Sequence, residues 1–184
     1  MKNFLVIALT FLSNYLMSQV EQQNYNTLQT IKNIEIREYP PTIYASVTTE
    51  DSNNSLFGIL AGYIFGGNEN KQKIAMTAPV HMFESSEDDN SVTMKFVMPS
   101  EYSMDELSKP NDKRIQISKS VTKKYAAISY NGYNNSQKFN KYKSDLVKEL
   151  QKENINTVGS AIYLGYDPPY KFWGRKNEVM IEIK

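Results

Sequence analysis

Apolar and charged side chains alternate along residues 34–39, Ile-Glu-Ile-Arg-Glu-Tyr, and this period of two predicts a half-buried β-strand. Pro40 and Pro41 end it. Residues 42–49 are rich in β-branched and aromatic side chains and predict a second strand. The period then changes. Residues 56–65 run Leu-Phe-Gly-Ile-Leu-Ala-Gly-Tyr-Ile-Phe without a charge. On a 3.6-residue wheel Leu56, Phe57, Leu60, Tyr63 and Ile64 share one face, and Gly58, Ala61, Gly62 and Phe65 take the other. Residues 51–54 offer N-caps for this helix, and Gly66-Gly67 stops it. A strand is expected over 73–83, interrupted by Pro79, which argues for an edge or a bulge. An acidic, serine-rich hairpin connection covers 84–90. The strand 92–98 ends at Pro99, and the loop 100–112 holds one helical turn near 103–107.

The same pattern then returns 81 positions later. Ile34, Ile36, Tyr44, Ala45, Asn53, Asn54 and Ser55 recur as Ile115, Ile117, Tyr125, Ala126, Asn134, Asn135 and Ser136 (115 − 34 = 81; 136 − 55 = 81). The second copy predicts strands over 115–118 and 124–130, a helix over 136–152, and strands over 161–166 and 178–183. Its helix is amphipathic in the ordinary way, with Phe139, Tyr142, Leu146 and Leu150 in one stripe and lysines over much of the rest. Antiparallel strands with two helices argue for an α+β fold. Two such halves would pair their sheets into a closed or nearly closed barrel with a helix on each side. No linker divides them, so one pseudo-twofold domain is expected over 31–184.

The N-terminus stands apart. Met1-Lys2-Asn3 is short and basic, residues 4–12 are apolar except Thr10, and small Ser18 follows. This three-part pattern predicts a secretory signal over 1–18 and an exported protein, periplasmic or extracellular. The apolar run is too short for a comfortable transmembrane span, so no stable membrane anchor is expected after cleavage. Residues 19–30 are polar and are expected as a flexible lead-in. A chain of 184 residues that is 40% hydrophobic supports one real core. With no cysteine, disulfides and thiolate chemistry are excluded. A net charge of +1 and scattered lysines give no basic stripe for nucleic acid, and a monomer is expected.

Candidate chemistry is sparse. The single histidine, His81, excludes a two-histidine metal site, and in a strand it reads as a surface or hydrogen-bonded strand residue rather than an iron ligand. Asp167 and Glu178 read as strand-end caps rather than a catalytic pair. No nucleophile–base pair is visible, so no catalysis is expected, and no metal site. Two features point to a ligand instead. Gly58 and Gly62 each cost about 0.8–1 kcal/mol in a helix interior relative to alanine, and small residues there let a flat apolar ligand, a partner chain or a loop approach the backbone. Tyr170, Lys171, Phe172 and Trp173, with Arg175 beside them, combine aromatic surface with cations and suit an amphiphile carrying carboxylates.

Three motifs carry a family resemblance: Gly66-Gly67-Asn68 with residues 73–80 (Lys-Ile-Ala-Met-Thr-Ala-Pro-Val); residues 94–99 (Met-Lys-Phe-Val-Met-Pro); and Gly165-Tyr166-Asp167-Pro168-Pro169 with Gly174-Arg175-Lys176-Asn177-Glu178-Val179. Together they resemble the SOUL heme-binding protein family, over about residues 31–184. The resemblance implies a distorted antiparallel β-barrel with two helices and non-covalent binding of heme or another tetrapyrrole. Carried over, it implies a ligand against Ser55, Gly58, Ile59 and Gly62, with Tyr170, Lys171, Phe172 and Trp173 above. Some members place a basic residue on the first helix to meet a propionate. None lies between Asp51 and Gly67 here, so that role falls to Lys171, Arg175 or Lys71. Another flat apolar ligand, or a partner docking on the glycine face, remain alternatives.

Overall fold

The computed structural model describes residues 20–50, 55–84 and 91–184. In chain order its elements are β1 (Glu21–Gln22), β2 (Asn26–Ile31), β3 (Ile34–Tyr39), β4 (Ile43–Thr49), α1 (Leu56–Ile64), β5 (Thr77–Ala78), β6 (Val80–Glu84), β7 (Val92–Val97), β8 (Gln116–Lys119), β9 (Lys123–Asn131), α2 (Ser136–Lys152), β10 (Thr157–Gly165) and β11 (Lys176–Ile183). The expected signal over 1–18, the candidate caps at 51–54 and the acidic connection after Glu84 lie outside the described residues.

Nine strands build one large antiparallel sheet in the order β2-β3-β9-β11-β10-β6-β7-β4-β8, with both helices packed on it, so the fold is α+β as expected. The expected barrel is not closed. Among the described residues β2 pairs with β3 alone, β8 pairs with β4 alone, and no ladder joins the two edges. Both edge strands are polar and largely exposed, so their free backbone groups are solvated rather than paired.

One local expectation also gives way. The polar segment read as a flexible lead-in contributes β1, which pairs in parallel with β5, and β2 at the sheet edge. A solvated edge needs ladder partners but no apolar alternation, so the hydrophobic pattern gives no sign of it. Pro79 interrupts the 73–83 region as expected and leaves two strands with different neighbours, of which β5 pairs, among the described residues, with β1 alone in a two-stranded sheet. Pro79 stands in the break between β5 and β6, outside the ladder, and β6 then runs between β10 and β7 near the middle of the sheet.

Two main cores lie beneath the helices. Leu56, Leu60, Tyr63 and Ile64 of α1 are buried against Ala45, Val47 and Phe96 of β4 and β7. Leu146 and Leu150 of α2 are buried against Ile34, Ala126, Ile128 and Val179. A third cluster, Tyr39, Ala127, Leu164 and Met180, comes from the alternate positions of the central strands and thus from the opposite sheet face.

The duplication is carried into the register. Glu38 faces Lys124 in the β3–β9 pair, and Lys119 faces Ile43 in the β4–β8 pair (119 − 38 = 81; 124 − 43 = 81), so the two pairings are one pairing made twice. Met82 faces Tyr163 across β6 and β10 (163 − 82 = 81), which places the dyad relating the halves between these two residues. The offset then grows. His81 faces Lys95, and Ile162 faces Met180 (162 − 81 = 81; 180 − 95 = 85). Four extra residues therefore separate β10 from β11, in the loop that holds Tyr170, Lys171, Phe172 and Trp173.

Candidate functional site

α1 is a nine-residue helix whose start and stop are both fixed by side chains. The Ser55 hydroxyl accepts from the Gly58 N–H at 3.1 Å, the N-cap arrangement. At the other end the Gly67 N–H donates to the Gly62 carbonyl at 2.8 Å, and Gly66 has φ of 107°. Gly66 and Gly67 both have to be glycine. Gly66 sits in the left-handed region, and a Cβ on Gly67 would lie 2.6 Å from the Gly62 oxygen. Asn68, buried, donates to the carbonyls of Tyr63 and Gln72 at 3.0 and 2.7 Å and ties the helix end to the following turn. The Tyr63 hydroxyl donates to the Ser108 carbonyl at 2.9 Å. The helix is thus held rigidly at its buried face.

The opposite face is open. At Gly62 a Cβ would meet no atom within 4 Å, so no part of the described chain occupies the space its small size leaves. At Gly58 a Cβ would come to 3.0 Å from the Ser55 hydroxyl, so this glycine serves the cap as well as the surface. Ser55, Gly58, Ile59 and Gly62 line one recess of about 460 Å3 together with Asn111, Asp112 and Arg114. Phe57 meets Phe96 edge-on at 5.3 Å and is 46% exposed, and Phe65 is 69% exposed. Apolar surface therefore flanks the glycine strip.

Arg114 is the cation that sequence reading missed. Its guanidinium donates to both Asp112 carboxylate oxygens, at 2.6 to 3.2 Å. The hydrogen bonds from Arg114 hold the Asp112 carboxyl down at about 2. Arg114 directly precedes the second copy of the strand motif, so only the return of the chain to the helix reveals its place.

Tyr170, Lys171, Phe172, Trp173 and Arg175 do not line this recess. Their loop is braced from within. Lys171 pairs with Asp167 at 2.6 Å, and the Asp167 carboxylate also accepts the Lys176 N–H at 2.6 Å. Arg175 donates to the carbonyls of Pro168, Lys171 and Asp167, and its guanidinium lies 5.0 Å from the centre of the Tyr133 ring. The two cations thus act first as struts, and they hold Tyr170, Phe172 and Trp173 out in solvent at 75%, 73% and 88% exposure. Lys71, the remaining candidate, has φ of 52° and lies in the turn after α1.

His81 is buried, and its Nε2 meets the Gln23 side-chain oxygen at 2.8 Å. Burial, reinforced by Lys95, pushes its pKa down to about 3, so it is neutral and enclosed in the sheet: of the two strand readings the hydrogen-bonded one holds and the surface one does not. It is not available to a ligand at α1. Asp167 is a loop cap, also as expected. Glu178 is not. It is fully buried and takes a two-pronged ion pair from Arg37 at 2.7 and 2.9 Å, plus hydroxyl donors from Tyr166 and Ser129. Burial opposes its ionisation, but the Arg37 hydrogen bonds and charge prevail and hold it at about 2. Among the described residues no cluster of three metal-ligating side chains occurs, and no helix is long and apolar enough to cross a membrane.

Fold and site together define an α+β domain made from two copies of one frame, with one helix face left uncovered. Residues 20–182 match the family described as SOUL heme-binding protein, and the chain belongs to that family. It is 29% identical to mouse heme-binding protein 2 over 157 residues, covering 80% of this chain and 76% of the mouse protein. It is 28% identical to the human heme-binding protein 2, with the same coverage. Among solved structures, the EcmrR C-terminal domain shares the fold at a TM-score of 0.62 and 12% identity, over 87% of this chain and 98% of that one.

Proposed function

We propose that the protein is an exported, non-enzymatic carrier or scavenger that binds heme or a related tetrapyrrole without a covalent bond, as a monomer. The single observation that carries this reading is the uncovered Gly58–Gly62 face of α1, held rigid from behind and flanked by apolar surface. A flat macrocycle can lie directly on backbone there. Arg114 offers the cation that α1 itself lacks, by exchanging its bond to Asp112 for one to a propionate. His81 supplies no iron ligand, so the protein holds the ring chiefly by apolar contact. Burying one face yields several kcal/mol at about 25 cal/mol per Å2. The loss of translational freedom offsets much of this, so affinity on the order of micromolar is expected.

The internal dyad supports a role for the aromatic loop as well. In the first half, β6 and β7 contribute Phe83, Glu84 and Val92 to a cavity shared with Ser136, Phe139, Asn140 and Lys143 of α2. The dyad-related partners of those helix positions are Ser55, Gly58, Ile59 and Gly62 (136 − 55 = 81; 143 − 62 = 81), and the partner of the β6–β7 connection is the loop 166–175. Tyr170, Phe172 and Trp173 thus belong on the side where a ligand on α1 would emerge. The test is a hemin titration of the chain lacking residues 1–18, followed in the Soret band. Saturable binding that Gly62→Leu weakens at least tenfold supports the site. No saturable change at high micromolar hemin overturns the reading. Detection of the native protein in the cytoplasmic fraction, with residues 1–18 still attached, would overturn export.

A further inference from the structure

We infer that the second half carries its own ligand site, a cavity between α2 and the β6–β7 hairpin that takes an apolar molecule bearing one anionic group. The cavity measures about 470 Å3, within the range of small-molecule sites. Its apolar walls come from four elements: Met82 and Phe83 on β6, Val92 on β7, Phe139 on α2 and Ile181 on β11. Because β6 and β11 belong to the rigid sheet and Phe139 packs against the α2 core, the walls are preformed.

The cavity is the dyad image of the α1 face, yet its chemistry differs at three of the four helix positions. Ser136 repeats Ser55, but Phe139 stands where α1 has Gly58, Asn140 where it has Ile59, and Lys143 where it has Gly62. The open strip that admits a broad ring on α1 is therefore filled on α2 by an aromatic wall and a cation. An aromatic body held against this wall fits here, rather than a macrocycle lying flat on backbone. Lys143 is exposed and makes no ion pair among the described residues, so its ammonium is free to meet an anion. Glu84 lines the same cavity and opposes that anion. The two side chains therefore have effects of opposite sign, which a merely greasy surface would not produce.

The probe is anilinonaphthalene sulfonate, an aromatic anion whose fluorescence rises on transfer from water to an apolar site. It is titrated into the chain lacking residues 1–18, with near-ultraviolet circular dichroism confirming native packing for each variant. One equivalent is expected to bind. Asn140→Trp, which fills the cavity mouth from an exposed helix position, should abolish the enhancement. Lys143→Gln should weaken binding several-fold, and Glu84→Gln should tighten it. Hemin titrations of these variants should match the parent, and Gly62→Leu should leave probe binding unchanged. The inference fails if the probe shows no enhancement, if Asn140→Trp and Lys143→Gln bind it like the parent, or if Gly62→Leu removes it. It does not rest on heme binding at α1, because absence of a Soret change leaves every probe outcome intact.

Discussion

Arg37 lies on a strand whose alternation points its charges toward water, yet its side chain is buried and paired with Glu178, 141 positions away. The pairing crosses β9, which separates β3 from β11, so nothing local announces it. Replacing Arg37 with Met leaves a buried carboxylate without its partner and should cost about 3–5 kcal/mol in urea unfolding. Changing Glu178 to Met as well should recover part of that loss, because no unpaired charge then remains. His81 supplies a second test at this scale, with a definite sign. Its folded pKa is about 3 and its ordinary value 6.5, so the unfolded chain takes up the proton first. Stability from this group is complete above pH 6.5 and is lost as pH falls toward 3, at up to about 1.4 kcal/mol per pH unit. The groups nearest in effect are Lys95, which adds to the depression, and Glu178, which opposes it. Glu178 falls from an ordinary value of 4.5 to about 2, so its own contribution is lost mainly below pH 5 and the interval from pH 7 to pH 5 reads chiefly the histidine. Urea midpoints at pH 7 and pH 5 should differ in the parent and draw together in His81→Gln.

At the scale of elements, α2 was legible to the residue, because its apolar stripe and its charged face agree with one another, and the Asn135 side chain caps it where the pattern begins. α1 was legible in extent but not in surroundings. The sequence separates the stop glycines from the two on the open face but pairs Gly58 with Gly62, whereas a Cβ would crowd the Ser55 hydroxyl at Gly58 and meet nothing at Gly62. Gly62→Ala meets open space and should stabilise the protein by up to about 1 kcal/mol through helix propensity. Gly67→Ala drives a methyl group into the Gly62 carbonyl and should destabilise it by about 1–3 kcal/mol. Thermal unfolding of the pair decides the matter, and equal shifts would mean that the helix end is looser than its hydrogen bonds imply. The edge strands β1 and β2 were illegible for a different reason. They are held by backbone pairing at a solvated rim, which leaves no apolar period to read.

At the scale of the whole molecule the duplication was readable as spacing, but its geometric content was not. Spacing shows that two segments are related, and only the β6–β10 pairing shows that the axis runs between Met82 and Tyr163. The axis turns the four-residue excess before β11 into a structural asymmetry. The frame is repeated faithfully, and the departure concentrates three aromatic side chains in solvent, at a cost that folding alone does not explain. If the loop exists for a ligand, its aromatic residues should matter for binding and not for the fold. Changing Tyr170, Phe172 and Trp173 together to Ser should shift unfolding free energy by no more than about 0.5 kcal/mol per site, because none of the three is buried. Hemin affinity should fall roughly tenfold or more, since each aromatic contact contributes about 0.5–1.5 kcal/mol. A variant with unchanged hemin affinity would detach the loop from the α1 site and leave the glycine face to hold the ring alone. A variant that unfolds would instead make the loop part of the core that the exposure of its rings denies.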